Sequence, residues 1–159
     1  MKIISILLIQ LLFFLFLGFG QTKVLKGKII DKFGFQPIVG VNIVYSDTTV
    51  FTTTDFQKGE FEIQLPDSIN SLLIRALGYE QKLIFLNDGC NQLDIILEQR
   101  PTNCFMSLEE SDKSRLKEFK KLPKLHKEAY DKGFLKTEQP CYKQKFMADT
   151  KWKRFQKII

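Results

Sequence analysis

Residues Val24 to Leu97 predict a seven-stranded antiparallel β-sandwich. Two observations carry this. Short runs alternate apolar and polar residues with a period of two, and clusters of turn-forming residues separate the runs at spacings too tight for helices. A third observation, a capped and helix-periodic stretch beginning near Ser107, predicts a small α-helical C-terminal extension.

The alternation places the strands in order. In Val41-Asn42-Ile43-Val44-Tyr45 the odd positions are apolar, and Thr48 to Thr54 is rich in β-branched residues and leads into a hairpin at Asp55. Glu60 to Leu65 sets Phe61, Ile63 and Leu65 on one face and polar residues on the other, as a strand with one wet face requires. Leu72 to Leu77 and Lys82 to Leu86 are more continuously apolar and belong nearer the centre, while Leu93, Ile95 and Leu97 alternate again. Between the runs lie Lys32-Phe33-Gly34, Gln57-Lys58-Gly59, Pro66-Asp67-Ser68 and Asn87-Asp88-Gly89, where Gly is available for positive φ and Pro fixes φ at a negative value.

Beyond the strands, Ser107 and Glu110 have the spacing of a capping box, so a helix should start there. Leu108, Leu116, Phe119 and Leu122 would face the sandwich and the lysines would face outward, until Pro123 breaks the helix. A second short helix is expected from Lys124 toward Gly133, with Glu128 and Lys132 as an i,i+4 pair. Trp152 and Phe155 offer a final helical turn or a docking peptide.

Residues 1–20 have the form of a cleavable secretory signal peptide, with Lys2 ahead of an apolar run ending at Leu17 and Gly18-Phe19-Gly20 at the cleavage position. That run is shorter than the roughly 20 residues of a membrane span, so no transmembrane segment is expected in the mature chain. The chain carries a formal charge of +6, and the positive charge is concentrated in its last third. Residues 1–112 hold 9 Lys/Arg against 13 Asp/Glu, and residues 113–159 hold 15 against 5. Lys113, Lys117, Lys120, Lys121, Lys124 and Lys127 form a basic contact surface or a solvated helical face. Export argues against nucleic acid as the polyanion they meet. Export also lets disulfides persist among Cys90, Cys104 and Cys141. Cys104 and Cys141 are the expected pair, closing a loop of 38 residues that the chain-entropy account values at roughly 3 to 4 kcal/mol.

Gly27-Lys28-Ile29-Ile30-Asp31, Pro37 to Ile43, Thr53-Thr54-Asp55 with Gly59-Glu60-Phe61, and Leu77-Gly78-Tyr79 occur in an order that resembles the carboxypeptidase regulatory-like domain. The resemblance implies a transthyretin-type, immunoglobulin-like sandwich over residues 21–99, followed by a basic helical and loop extension over 100–159. Gly27, Gly40, Asp55, Gly59, Gly78 and Tyr79 would then be turn and scaffold residues. The three residues between Asp55 and Gly59 exceed the family's usual turn by one, implying a longer or bulged hairpin. Arg75 stands where the family more often has a small or apolar residue, implying an outward face or a paired buried charge.

No catalytic residue, cofactor or metal site is expected. A zinc peptidase centre needs at least two imidazoles, and His126 is the single histidine. No Gly-x-Ser-x-Gly stretch occurs. The expected role is a free-standing, exported, non-catalytic binding or accessory module of the bacterial cell envelope, whether periplasmic, outer-membrane-associated or secreted, recognising a protein or an anionic envelope component. The alternatives are a structural or adhesive protein that pairs through a sheet edge, and a carbohydrate-binding module using Phe33, Phe35, Phe51 or Phe56 as an aromatic platform.

Overall fold

The structure is a computed structural model that describes residues 22–45, 49–55, 57–101 and 105–151, with backbone alone for 49–53 and 151. The expected leader 1–20, Cys104, Phe56 and the docking residues Trp152 and Phe155 lie outside the described residues, as does the side chain of Phe51.

The protein is mainly β, in two sheets with a helical segment near the C-terminus. The strands are β1 (Thr22–Asp31), β2 (Asn42–Tyr45), β3 (Thr49–Thr53), β4 (Glu60–Pro66), β5 (Ser71–Arg75), β6 (Lys82–Leu86) and β7 (Ile95–Leu97). Helices α1 (Leu108–Phe119) and α2 (Leu122–Asp131) follow, then strand β8 (Tyr142–Lys145) and a 3-10 turn (Asp149–Lys151). One sheet has the order β4-β1-β7 and the other β3-β2-β5-β6-β8. Their facing sides share one core, with Leu25, Ile29, Ile63 and Leu65 from the first sheet against Ile43, Leu72, Ile74 and Ile84 from the second. β4 shows the anticipated one-sided burial, with Phe61, Ile63 and Leu65 inward and Glu62 and Gln64 in water.

Three features differ from the sequence expectation. First, the described residues contain eight strands rather than seven, because the extension contributes β8 to the edge of β6, pairing Ile84 with Gln144 and Leu86 with Tyr142. Tyr-Lys-Gln-Lys buries only its tyrosine, so it lacks the alternation by which the other strands are found. Second, β7 runs parallel to β1, with Ile29 opposite Ile95 and Ile30 opposite Ile96. Third, β3 and β4 belong to different sheets, so Asp55 to Gly59 is a crossing between sheets and not a hairpin. The Asp55 carboxylate holds that crossing by accepting from the backbone N–H groups of Lys58 at 2.9 Å and Glu60 at 3.0 Å. Beside it, the buried Thr54 hydroxyl donates to the Ile38 carbonyl at 2.9 Å and accepts from Val41 N–H at 3.0 Å.

A second core lies on the outer side of the first sheet. Ile30, Phe35 and Ile96 pack there against Leu122, Ala129 and Leu135. β7 is thus covered on both faces, which is why Leu93 to Glu98 is buried throughout and why a parallel pairing is tolerated at this position.

The helices form for the expected local reasons and pack for an unexpected one. Ser107 caps α1 by accepting from Glu110 N–H at 3.3 Å, and Glu110 returns a carboxylate to Ser107 N–H at 3.0 Å. The Glu128–Lys132 pair closes at 2.6 Å, and Gly133 ends the segment at φ 78°. Pro123, expected to break a helix, instead sits in the first turn of α2, where its missing N–H costs nothing. The buried residues of α1 are Asp112 and Arg115, whereas Leu108 is exposed. The face toward the sheets is therefore ionic at Asp112 and Arg115, and only its C-terminal end is apolar as expected, where Phe119, followed by Leu122, packs on the second core.

Gly27 is required for close approach. A Cβ built there would stand 1.9 Å from the Leu93 carbonyl oxygen and 2.8 Å from the Phe61 ring, against backbone fixed by the Leu93 N–H to Lys26 carbonyl bond of 2.7 Å. Gly27→Ala is expected to destabilise the protein by about 3 kcal/mol or more through overpacking, read as a lower urea midpoint with an unchanged m-value.

Candidate functional site

A cavity of about 340 Å³ opens where α1 and the end of β8 lean over the edges of the two sheets. The turn after β1 brings Lys32 and Phe33 to its wall, the start of β6 brings Gln81 and Lys82, and the segment after β7 brings Glu98. Gly78 and Tyr79, expected as scaffold, form the turn that delivers this wall. Tyr79 bridges Gln99, Glu80 N–H donates to the Glu98 carbonyl at 2.8 Å, and Arg100 N–H to the Gly78 carbonyl at 2.9 Å.

Arg115 is the ionic centre between α1 and the sheets. Its guanidinium takes Glu80 in a two-pronged grip, Nε to Oε1 at 2.7 Å and Nη2 to Oε2 at 2.5 Å. It also donates to Asp112 at 2.8 Å and to the Met147 carbonyl at 3.0 Å, and stands 3.1 Å from Asp149. This fork geometry matches a carboxylate in a way that a lysine cannot. Asp112 accepts in turn from the N–H groups of Asp149 at 2.8 Å and Thr150 at 3.1 Å, tying the chain after β8 back to the helix. Burial pushes the Glu80 carboxyl up from its usual range despite Arg115. Burial acts against the charge of Asp112 as well, but the N–H donors of Asp149 and Thr150 hold that carboxyl below its usual range.

Deeper in, Lys82 Nζ lies 3.3 Å from Glu98 Oε2 and 3.4 Å from Gln144 Oε1, with the lysine only 4% exposed. Burial lowers the ammonium to about 8, Glu98 opposing the shift. A third pair, Lys32 Nζ to Glu118 Oε2 at 2.7 Å, links the rim to α1. Lys121 and Lys32 together hold the Glu118 carboxyl at about 2. Behind the wall, two buried side-chain oxygens, Glu98 Oε1 and Gln81 Oε1, have no hydrogen-bond partner among the described residues.

The Lys82 charge has a consequence for stability. Its pKa in the folded state is about 8, below its ordinary 10.5, so between those values the unfolded chain binds the proton more tightly and stability rises with pH. The protein is expected to gain roughly 3 kcal/mol from this group between pH 8 and 10.5. Urea midpoints across that window should rise in the wild type, and the rise should vanish in Lys82→Met with Glu98→Gln.

The cysteines correct one expectation. Cys141 is bonded to Cys90, with Cα atoms 5.4 Å apart and a sequence separation of 51, so it is not the partner of Cys104. The reason is topological: β8 docks beside β6, and Asn87 N–H at the end of β6 donates to the Cys141 carbonyl at 3.0 Å. This brings the turn holding Cys90 against the start of β8.

The remaining candidates are distributed over the surface and the turns. Lys113, Lys117, Lys120, Lys121, Lys124 and Lys127 are all exposed on α1 and α2, and Lys121 and Lys127 pair with Glu118 and Glu138. Gly40, Gly59 and Gly78 occupy positive-φ turn positions. Arg75 is half-buried, and its Nε has no hydrogen-bond partner among the described residues. His126 is buried in α2 with Nε2 2.9 Å from the Thr137 carbonyl, which only accepts, so Nε2 carries the proton. Burial lowers its pKa. Asp94 completes this latch by accepting from the N–H groups of Lys136 at 2.7 Å and Thr137 at 3.2 Å.

Sequence reading missed Lys82, Glu98 and the Arg115 cluster. The available signal was a lysine opening and a glutamate closing otherwise apolar strands, and an acid and a base three apart on one helix face.

The family model of the CarboxypepD_reg-like domain matches residues 25–107. The chain belongs to that family. No curated protein matches it. The CarboxypepD_reg-like region supplies β1 to β7 and one wall of the cavity; the other wall, from Ser114 to Phe119 and from Lys145 to Met147, lies beyond the matched residues. Among the described residues no helix is long and apolar enough to cross a membrane.

Proposed function

We propose that this CarboxypepD_reg-like protein is an exported, non-catalytic binding module of the cell envelope. In this reading the two sheets form a transthyretin-type sandwich, and the extension shapes the ligand site. The observation that carries it is the cavity between the family domain and the extension, with a volume in the range of small-ligand sites. Four of the cations that line it are engaged with carboxylates, Arg115 with Glu80, Lys82 with Glu98, Lys32 with Glu118 and Arg100 with Asp149, and Lys145 adds a further positive charge. Charges paired in this way suit positioning a bound group rather than proton transfer. Pairing through the β8 edge, one of the sheet edges an adhesive role could use, is disfavoured by the exposed Lys143 and Lys145 on that strand.

Co-sedimentation of residues 21–159 with isolated envelope fractions at about 50 and about 200 mM salt tests the reading, since polyanion contacts weaken strongly over that range. Binding at both salts supports recognition in the cavity. Binding lost at the higher salt assigns recognition to the lysine face of α1 and α2. No binding at either salt overturns the envelope role.

A further inference from the structure

The outer side of the two helices carries positive charge that no carboxylate of the protein balances. Residues 113–127 hold seven Lys/Arg against one acid, Glu118. Lys113, Lys117 and Lys120 recur one turn apart on the side of α1 turned away from the buried Asp112 and Arg115, and Lys124 follows at the start of α2. All four are exposed, and none pairs with a carboxylate among the described residues. Three of the acids of α1 are committed elsewhere, Glu110 to the Ser107 cap, Asp112 to Arg115, and Glu118 to Lys32 and Lys121, while Glu109 lies in the first turn. Like charges one turn apart repel, so this face gains most from a surface that offers anions to all of them at once.

Exposed aromatic rings border the same face and separate one kind of polyanion from another. The Glu118 carboxylate accepts from Lys32 and from Lys121 at 2.7 Å each, which ties the turn holding Phe33 to the flank of the lysines. Phe33 is 66% exposed, with Lys32 Nζ 4.8 Å from its ring centroid. At the other end of α1, Phe105 stands fully exposed two residues ahead of the Ser107 cap. Phe35, raised with Phe33 as an aromatic platform, is buried in the second core and takes no part. An open ring gains little from a hydrated, charged glycan chain, but it leaves water when set among lipid headgroups at the acyl boundary, and the lysine stems can lie along the same boundary with their ammonium groups in water. We propose that the exposed side of α1 and the start of α2 docks on an anionic phospholipid surface, with Lys113, Lys117, Lys120 and Lys124 meeting headgroup phosphates and Phe33 entering the headgroup layer beside them. This goes beyond the cavity reading and needs no ligand in the cavity. The four lysines lie beyond the matched residues 25–107, so the docking charge belongs to this chain's extension.

The test is co-sedimentation of residues 21–159 with vesicles of phosphatidylcholine alone and of phosphatidylcholine with phosphatidylglycerol, at about 50 and about 200 mM salt. The anionic vesicles are expected to bind about tenfold tighter or more at the lower salt, and distinctly less tightly at the higher. Lys117→Gln with Lys120→Gln should weaken that binding by about tenfold and flatten its salt dependence. Phe33→Ala should weaken it by about fivefold at both salts, because its share is apolar. These side chains are exposed, so all variants should keep the wild-type melting temperature, and a merely structural role predicts no loss of binding. Equal binding to both kinds of vesicle, or binding that survives the lysine substitutions, overturns the proposal. Binding unchanged in Phe33→Ala, or retention on immobilised heparin without vesicle binding, assigns the face to a purely ionic polyanion and overturns it as well. If the vesicles fail while envelope fractions still bind at both salts, the lipid assignment falls and the cavity reading stands.

Discussion

A chain ending at Glu98 is expected to lose cooperative folding, although it contains nearly all of the region that matches the family. The ending removes β8, which pairs with β6 along Leu83 to Leu86, and Cys141, the partner of Cys90. It also removes Leu122, Ala129 and Leu135, leaving Ile30, Phe35 and Ile96 uncovered. Re-exposing a large apolar side chain costs about 1.5–3 kcal/mol, and three of them approach the whole stability of a small domain. The expected observation is a shallow, non-cooperative urea transition with dye-accessible hydrophobic surface. A milder form separates the crosslink from the packing. Cys90→Ser with Cys141→Ser should cost about 4 kcal/mol by the loop-entropy account. A cooperative, soluble 21–98 fragment would show that the extension is an accessory to a self-sufficient fold.

The parts of this architecture legible in the sequence are those specified by neighbours along the chain. Glu60 to Leu65 reads as a half-buried strand because its alternation is a local property, and Ser107 with Glu110 reads as a helix start because a capping box spans four residues. What escaped depends on which distant segments meet. Asp55 to Gly59 has the chemistry of a tight turn, and nothing local decides whether the strands it joins share a sheet. Cys141 could be assigned to Cys90 only by knowing that Tyr142 to Lys145 is a strand beside β6. The cavity was hidden for a related reason. Asp112 and Arg115 read as surface charges on a lysine-rich helix, and only the position of Glu80 across the interface turns that face inward.

Replacing Arg115 with methionine is expected to destabilise the protein by about 3–5 kcal/mol, the range for removing one partner of a buried ionic cluster. The loss exceeds that of any single contact because Glu80 and Asp112 remain buried without their guanidinium, and the Met147 carbonyl loses a donor. Arg115→Lys should recover only a minor part, since one ammonium cannot grip both oxygens of Glu80 while reaching Asp112. The pH dependence identifies the cause. In the wild type Asp112 is held below its ordinary 3.8, so its contribution is complete above that value and is lost as pH falls through the folded pKa. Glu80 is already raised by burial, and its charge becomes less costly to remove as pH falls. Without Arg115 the Glu80 carboxyl shifts further upward, the folded state binds that proton more tightly than the unfolded chain, and acidification stabilises the variant relative to the wild type, while the N–H groups of Asp149 and Thr150 still hold Asp112. The deficit of Arg115→Met should therefore be largest at pH 8 and distinctly smaller at pH 5, measured as paired urea midpoints. A deficit independent of pH would assign Arg115 to packing against Phe146, 5.5 Å from its guanidinium, and not to charge. Glu80→Gln with Asp112→Asn in the Arg115→Met background should recover most of the loss at pH 8 and little at pH 5, because it removes the stranded charges that make the single substitution costly.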